Sequence, residues 1–376
     1  MNPYLLTLLL AVAIALAAAI VLQAYSHKVG LPGVFRVDHG AGERPCWGGV
    51  AVFVAFAATP FIASLLNDKA SEYFSPKSGD FAGFLAAAAL IFVVGLVDDW
   101  KALDWKPKLL AQIVAASAVY AAGYSIDTLA MPWGAEIDFG IFAAVATVLW
   151  IVFFTNAINL IDGRDGVAPG VSVLAAASLA IVAASSHHPT VAILLVALAG
   201  AGLGFIPFNM PPATSYLGDS GALLLGFVLG SLSIRAATGM SEAFFFSVPF
   251  VALGFPILDT VLAVVRRTLD RKHPFGRDLD HIHNRLESAG FGPRGLLVVI
   301  YGISILLSGA AILLHKVDVF ALEMAILGGF GLLLAVLLTK LGYVVTIWNS
   351  HSIVWLRRHV LTGSKAVDSG HSRPQR

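Results

Sequence analysis

The chain has 376 residues, of which 58% are hydrophobic and 12% charged, about half the roughly 25% charged residues of an ordinary soluble domain. A formal net charge of +1 leaves no concentrated basic surface of the kind nucleic acid requires, and one cysteine, Cys46, excludes an internal disulfide. No Cys/His spacing marks a zinc site, and the composition is that of a protein whose main solvent is lipid.

In chain order, the first apolar run, residues 3–24, is long enough for the ~20 helical residues that cross a hydrocarbon core. It lacks a basic leader and a small-residue cleavage site before Tyr25, so it reads as a retained helix rather than a signal peptide. Further spans are predicted over 47–66, 81–98, 108–123, 139–158, 168–186, 189–206, 221–238, 244–265, 296–315 and 319–340. The expected fold is an all-α integral membrane protein of about eleven transmembrane helices with catalytic cytoplasmic loops. One polytopic domain covers 1–340, and an interfacial segment with a polar tail covers 341–376. Within that tail Ile353 to Leu361, with Trp355 beside Arg357 and Arg358, reads as a helix lying on the membrane surface. The loops after the odd-numbered spans and the C-terminal segment, counted with Lys108 and Lys340 at the span ends that adjoin them, hold 20 of the 24 Lys and Arg residues. The positive-inside rule makes that side cytoplasmic and puts the N-terminus outside.

The unusual polar residues fall in four clusters, all on the predicted cytoplasmic side. Val97-Asp98-Asp99-Trp100-Lys101 closes the third span. Interface charge is its plain reading, but two carboxylates at a helix C-terminus oppose the macrodipole at about 0.3–1 kcal/mol each, so the pair calls for a nearby cation. In Thr155 to Gly166, Asn156, Asn159 and Asp162 recur every third residue, which on a continuing helix keeps them on one side. Polar groups at membrane depth usually face a wet cavity, and capping would explain one of them, not all. Gly163 and Gly166 allow a turn that brings backbone amides near a ligand. In Phe208 to Gly221, Asp219 is equally well an N-cap for the next span or a metal ligand, while Asn209 and Tyr216 offer an amide and an aromatic face to a planar base. The fourth cluster contains Arg266, Arg267, Arg271, Lys272, His273, Arg277, Asp280, His281, His283 and Arg285. Attraction to anionic lipid explains its charge; the Asp280 to His283 run adds groups that bind phosphate or pass protons. His27, His187, His188 and His351 lie apart from these clusters and receive no role.

Carboxylates for a hard cation, arginines for phosphate oxygens and loops at a membrane boundary together predict phosphoryl transfer from a soluble donor to a lipid acceptor. Mg2+ suits such a site because it binds through one or two carboxylates plus substrate phosphates. A secondary transporter, the alternative from another class, would gather its polar groups near the bilayer midplane in broken helices rather than at one boundary.

The four clusters, in this order, resemble the polyprenyl-phosphate N-acetylhexosamine-1-phosphate transferase family, which includes enzymes that start O-antigen and teichoic-acid linkage synthesis and phospho-MurNAc-pentapeptide translocase. The resemblance runs over roughly Gly30 to Gly290. It implies transfer of a sugar 1-phosphate from a UDP-sugar to undecaprenyl phosphate, with release of UMP, a requirement for Mg2+ that Mn2+ can meet, and residence in a bacterial inner membrane, with a homodimer as the expected assembly. By motif position it makes Asp219 and Asp162 metal ligands, Asp98 and Asp99 groups that activate the lipid phosphate, and Asn156 and Asp162 catalytic-site residues. Asn209, Tyr216 and Asp165 resemble uridine contacts. Lys108, His281 and His283 resemble phosphate-side groups, the histidines within the catalytic set, and Asn159, Arg277 and Arg285 join as substrate-binding residues. The chain departs from the family pattern at Asn284, where a third His is usual, at Arg164, where an aliphatic residue is usual, and at Ala222, where Ser is common. Asp38, Pro45 and the Gly48-Gly49 pair are kept, without the usual basic residue before that pair. The missing third His favours a simple UDP-N-acetylhexosamine over the peptide-bearing MurNAc donor, the alternative within the family.

Overall fold

Lipid offers no partner to a backbone N–H or C=O, so a chain this apolar must satisfy those groups within helices. The computed structural model of the protein describes residues 1–29, 36–38, 43–74, 79–130, 135–238, 244–245, 247–271, 281–316 and 320–343. Arg277 and the surface helix expected over Ile353 to Leu361 lie outside the described residues.

The helices are α1 (Pro3–Val29), α2 (Gly48–Leu66), α3 (Asp68–Tyr73), α4 (Gly79–Trp100), α5 (Trp105–Ala121), α6 (Ala143–Ile161) and α7 (Val167–Ser185). They continue as α8 (Pro189–Asn209), α9 (Gly218–Ala236), α10 (Ser247–Ala252), α11 (Gly254–Leu269), α12 (Ile282–Ser288), α13 (Pro293–Lys316) and α14 (Phe320–Lys340). Among the described residues eight helices, α1, α2, α4, α6, α7, α8, α9 and α13, are long and apolar enough to cross a membrane. The other three predicted spans take different forms. Segment 108–123 overlaps the 17-residue α5, which ends at Ala121, and 319–340 contains the apolar stretch Met324–Lys340 of α14. Segment 244–265 is interrupted at Leu253 between α10 and α11. Pro256 lies in the first turn of α11, where the amide it lacks would have no intrahelical partner.

The centre of the bundle is α9, buried from Ser220 to Ile234 and packed by α2, α4, α6 and α7. Small residues make that enclosure possible, as between helices in lipid generally. A Cβ at Gly95 of α4 would stand 2.5 Å from Ser220 Cα, and one at Gly226 of α9 would stand 2.5 Å from the carbonyl oxygen of Phe154 on α6.

Two small sheets lie at opposite ends of the helices. Arg36–Asp38 and Glu43–Pro45 pair antiparallel between α1 and α2. Thr128–Ala130 pairs antiparallel with Glu136–Asp138 and parallel with Phe244–Phe245, and its first two strands link the far ends of α5 and α6. The described residues of the four polar clusters therefore share one end of the bundle, which the alternation of helices through the chain requires.

Candidate active site

The site begins where α4 ends. Asp98 Oδ1 accepts a hydrogen bond from the Leu103 amide at 2.6 Å, which folds the turn into α5, and Asp98 Oδ2 accepts from Lys108 Nζ at 2.7 Å. The same ammonium lies 3.4 Å from Asp219 Oδ2, and Asn159 of α6 donates to Asp219 Oδ1 at 2.9 Å. One lysine thus joins a carboxylate from the end of α4 to one from the start of α9.

Asp99 removes the capping reading of Asp219. Its oxygens accept from the amides of Asp219 at 2.7 Å and Ser220 at 3.1 Å. These amides belong to the first turn of α9, where backbone donors have no intrahelical partner. Asp99 therefore satisfies that helix end from across the bundle, and Asp219 is not the N-cap, leaving its own carboxylate for Lys108, Asn159 and the cavity. Gly218 permits the arrangement: its φ is +76°, and a Cβ there would fall 2.6 Å from Asp99 Oδ2 and 2.5 Å from Cys46 Sγ.

The turn after α6 supplies a second set. Asp162 is half-buried and its carboxylate has no hydrogen-bond partner among the described residues. Burial first, and then the charges of Asp219, Asp99 and Asp165, push its pKa well above the usual carboxylate range. Asp165 Oδ2 accepts from the Ala213 amide at 2.9 Å and lies 3.9 Å from Arg44 Nη1. Asn209 clamps two loops together, accepting from the Gly166 amide at 2.8 Å and donating to the Ser215 carbonyl at 3.0 Å. Tyr216 stands on the same side, with Arg44 Cζ 5.9 Å from its ring centroid.

These groups surround one cavity of about 1250 Å3, ample for two substrates by the ~300–1,000 Å3 that single-ligand pockets span. Of the predicted residues, Asp98, Asp99, Lys108, Asp162, Asp165, Asn209, Tyr216 and Asp219 line it. Asn159 stands behind Asp219. Asn156 does not line the cavity: it is tied to Gln112 of α5, whose Oε1 accepts from Asn156 Nδ2 at 2.6 Å. Arg285 does not line it either; its Nη1 donates to the Leu341 carbonyl at 3.0 Å, and its guanidinium lies 3.9 Å over the Tyr343 ring.

His281 and His283 are buried beneath the site rather than in its wall. Their rings stack 5.4 Å apart, His281 Nδ1 is 2.6 Å from Asp259 Oδ2, and Asp259 Oδ1 accepts from the Ile282 amide at 2.7 Å. His283 Nε2 would be 2.9 Å from a Cβ at Gly163, so this ring supports the turn that carries Asp162 and Asp165. Burial lowers the His283 pKa to about 4, so the ring is neutral at physiological pH. Asp259, Gln112, Arg44 and Glu287 are site or supporting residues that sequence reasoning passed over. For Asp259 a signal existed: it is the only charged residue in 244–265, and an ionisable group inside an apolar segment is a functional candidate by default.

Among the described residues no three His, Cys, Asp or Glu side chains form a ready-made metal cage. The pair Asp162 and Asp219, both on the cavity wall, suits a hard cation that takes its remaining ligands from substrate phosphates.

The family model described as glycosyl transferase family 4 matches residues 81–237, from the start of the third long helix to the end of α9. The chain is 33% identical over 277 residues to the probable undecaprenyl-phosphate N-acetylglucosaminyl 1-phosphate transferase of Bacillus subtilis, covering 73% of this chain and 75% of that one. It is 32% identical over 291 residues to decaprenyl-phosphate N-acetylglucosaminephosphotransferase of Mycolicibacterium smegmatis, 71% of each. Phospho-N-acetylmuramoyl-pentapeptide-transferase of Staphylococcus epidermidis is 28% identical over 284 residues, 70% of this chain and 82% of that one.

Proposed function

The chain belongs to glycosyl transferase family 4, and from that premise we propose that it transfers N-acetylhexosamine 1-phosphate from a UDP-sugar to undecaprenyl phosphate, releasing UMP and starting a lipid-linked cell-surface glycan. The observation that carries this reading is the Asp98–Lys108–Asp219 array on the wall of a cavity at the ends of membrane-spanning helices. There a water-soluble donor and a phosphate on a lipid tail can meet.

An oxygen of the lipid phosphate forms a bond to the phosphorus that carries the sugar, and the bond from that phosphorus to the bridging oxygen of UMP breaks. One phosphoanhydride replaces another, so the reaction lies near balance and runs in both directions. Lys108 draws the phosphates to the floor of the site, and Asp98, bound to it, orients the lipid phosphate and takes its proton where one is present. Asp99 acts as a positioning residue by fixing the first turn of α9, and hence Asp219. Asp165 and Tyr216, with Asn209 clamping their loops, form the uridine side. His281 and His283, oriented by Asp259, hold the Gly163 turn from below. Asp162 and Asp219 would hold Mg2+, or Mn2+ in its place, whose chemistry is to neutralise pyrophosphate oxygens as charge passes to the leaving group.

The lysine and arginine distribution supports a cytoplasmic site in a bacterial inner membrane, with the N-terminus outside. Thin-layer detection of labelled lipid product tests the reaction, using purified protein, undecaprenyl phosphate and a panel of UDP-N-acetylhexosamines. Product should require Mg2+, and Asp219→Asn should lower turnover by on the order of 10²–10³, as loss of a group stabilising transition-state charge does, while the protein remains monodisperse. Folded wild-type protein that makes no product from any donor would sink the reading.

A further inference from the structure

The proposed reaction leaves one stretch of the cavity wall without a role. Tyr216, Asp165 and Arg44 form the base side, and Lys108, Asp98 and Asp219 the phosphate floor. The hexose of a UDP-sugar lies a pyrophosphate away from its base, so it falls against neither. The polar side chains left to meet its hydroxyls and acetamido group are Arg164 and Glu287, with the exposed Arg294 elsewhere on the wall.

Arg164 and Glu287 form an ion pair that ties the turn after α6 to α12, and Arg164 Nη2 also donates to Asn284 Oδ1 at 3.1 Å. The two positions at which the chain departs most pointedly from the family pattern, Arg164 and Asn284, are therefore in contact with each other. The pair is open to water, with side chains 44% and 55% exposed, so it contributes little to stability. What it sets is the charge this wall presents: guanidinium donors and carboxylate acceptors remain accessible, while each charge is balanced by the other.

We propose that Arg164 and Glu287, with Asn284 holding Arg164 from behind the cavity wall, form the subsite for the donor's hexose, and that Glu287, by neutralising Arg164, makes the enzyme select a neutral N-acetylhexosamine over one bearing a carboxylate. The inference rests on the transferase reading and adds to it the feature that chooses the sugar. Without Glu287, Arg164 presents an unbalanced positive charge to the sugar, and a uronate gains a partner. Without Arg164, Glu287 repels the uronate.

Competition between UDP-GlcNAc and UDP-N-acetylglucosaminuronic acid for the wild type, Glu287→Gln and Arg164→Gln measures this as a ratio of kcat/KM values. E287Q should shift the ratio about tenfold towards the uronate, the scale of one charge contact at a partly solvated site, and R164Q should shift it the other way. The variants read one quantity with opposite signs, so loss of either to misfolding leaves the other decisive. Ratios within twofold of wild type in the active variants overturn the subsite. Wild-type protein inactive on every UDP-sugar instead overturns the reaction, and the subsite with it.

Discussion

At Lys108 a single ammonium serves two carboxylates that the chain separates by more than a hundred residues, and the site is built from several such economies. Asp99 gives both oxygens to the first turn of α9, which is why Asp219 can face the cavity. Sequence alone left Asp219 balanced between N-cap and ligand, because no local spacing reports that a carboxylate from another helix has already filled the capping role. Asp259 was legible in principle, as a lone charge in an apolar stretch, whereas the partnership of Asn156 with Gln112 depends on how α5 meets α6 and leaves no local trace. His283 yields a prediction in solution. Its pKa in the folded protein is near 4 against an ordinary 6.5. As pH falls through that window the unfolded chain takes up the proton first, so the stability tied to the neutral ring is complete above 6.5 and is lost as pH falls towards 4. Melting in detergent across this range should show Tm falling with pH, and His283→Gln should flatten the slope.

Among elements, α9 has the strictest requirements. Its neighbours approach so closely that Gly226 leaves no room for a side chain against the backbone of α6. Gly226→Leu should cost at least the ~1–3 kcal/mol of overpacking, read as a lower Tm and loss of the monodisperse species on size exclusion; unchanged melting would mean that α6 and α9 are looser than described. Apolar runs made the existence of most helices plain from sequence, since length and hydropathy are what lipid demands of a spanning segment. The interruption at Leu253 was less plain. Asp259 is the only charged residue of the 244–265 stretch, and hydropathy does not register that a new helix begins at Gly254, with Pro256 in its first turn.

Taken as a whole molecule, the chain collects its chemistry at one end of the bundle, a property that alternation of spans and the placing of charge already indicated. How the loops converge was not readable, because the contacts of Arg44 with Asp165 and of Arg164 with Glu287 join segments distant in sequence. The proposed orientation predicts sidedness. UDP-sugar added outside inverted membrane vesicles should yield lipid product, and the same addition to sealed right-side-out vesicles should not until detergent opens them. Equal product from both would reverse or abolish the assigned orientation.

The placement of Asp98 and Asp219 at the ends of the spanning helices α4 and α9 also determines how this catalyst counts its acceptor. An enzyme whose acceptor arrives by lateral diffusion responds to the mole fraction of that lipid in the bilayer, not to its amount per volume of suspension. Diluting the vesicles with buffer should leave turnover at saturating UDP-sugar unchanged, while adding inert phospholipid at fixed acceptor should slow it in proportion, the behaviour of surface dilution.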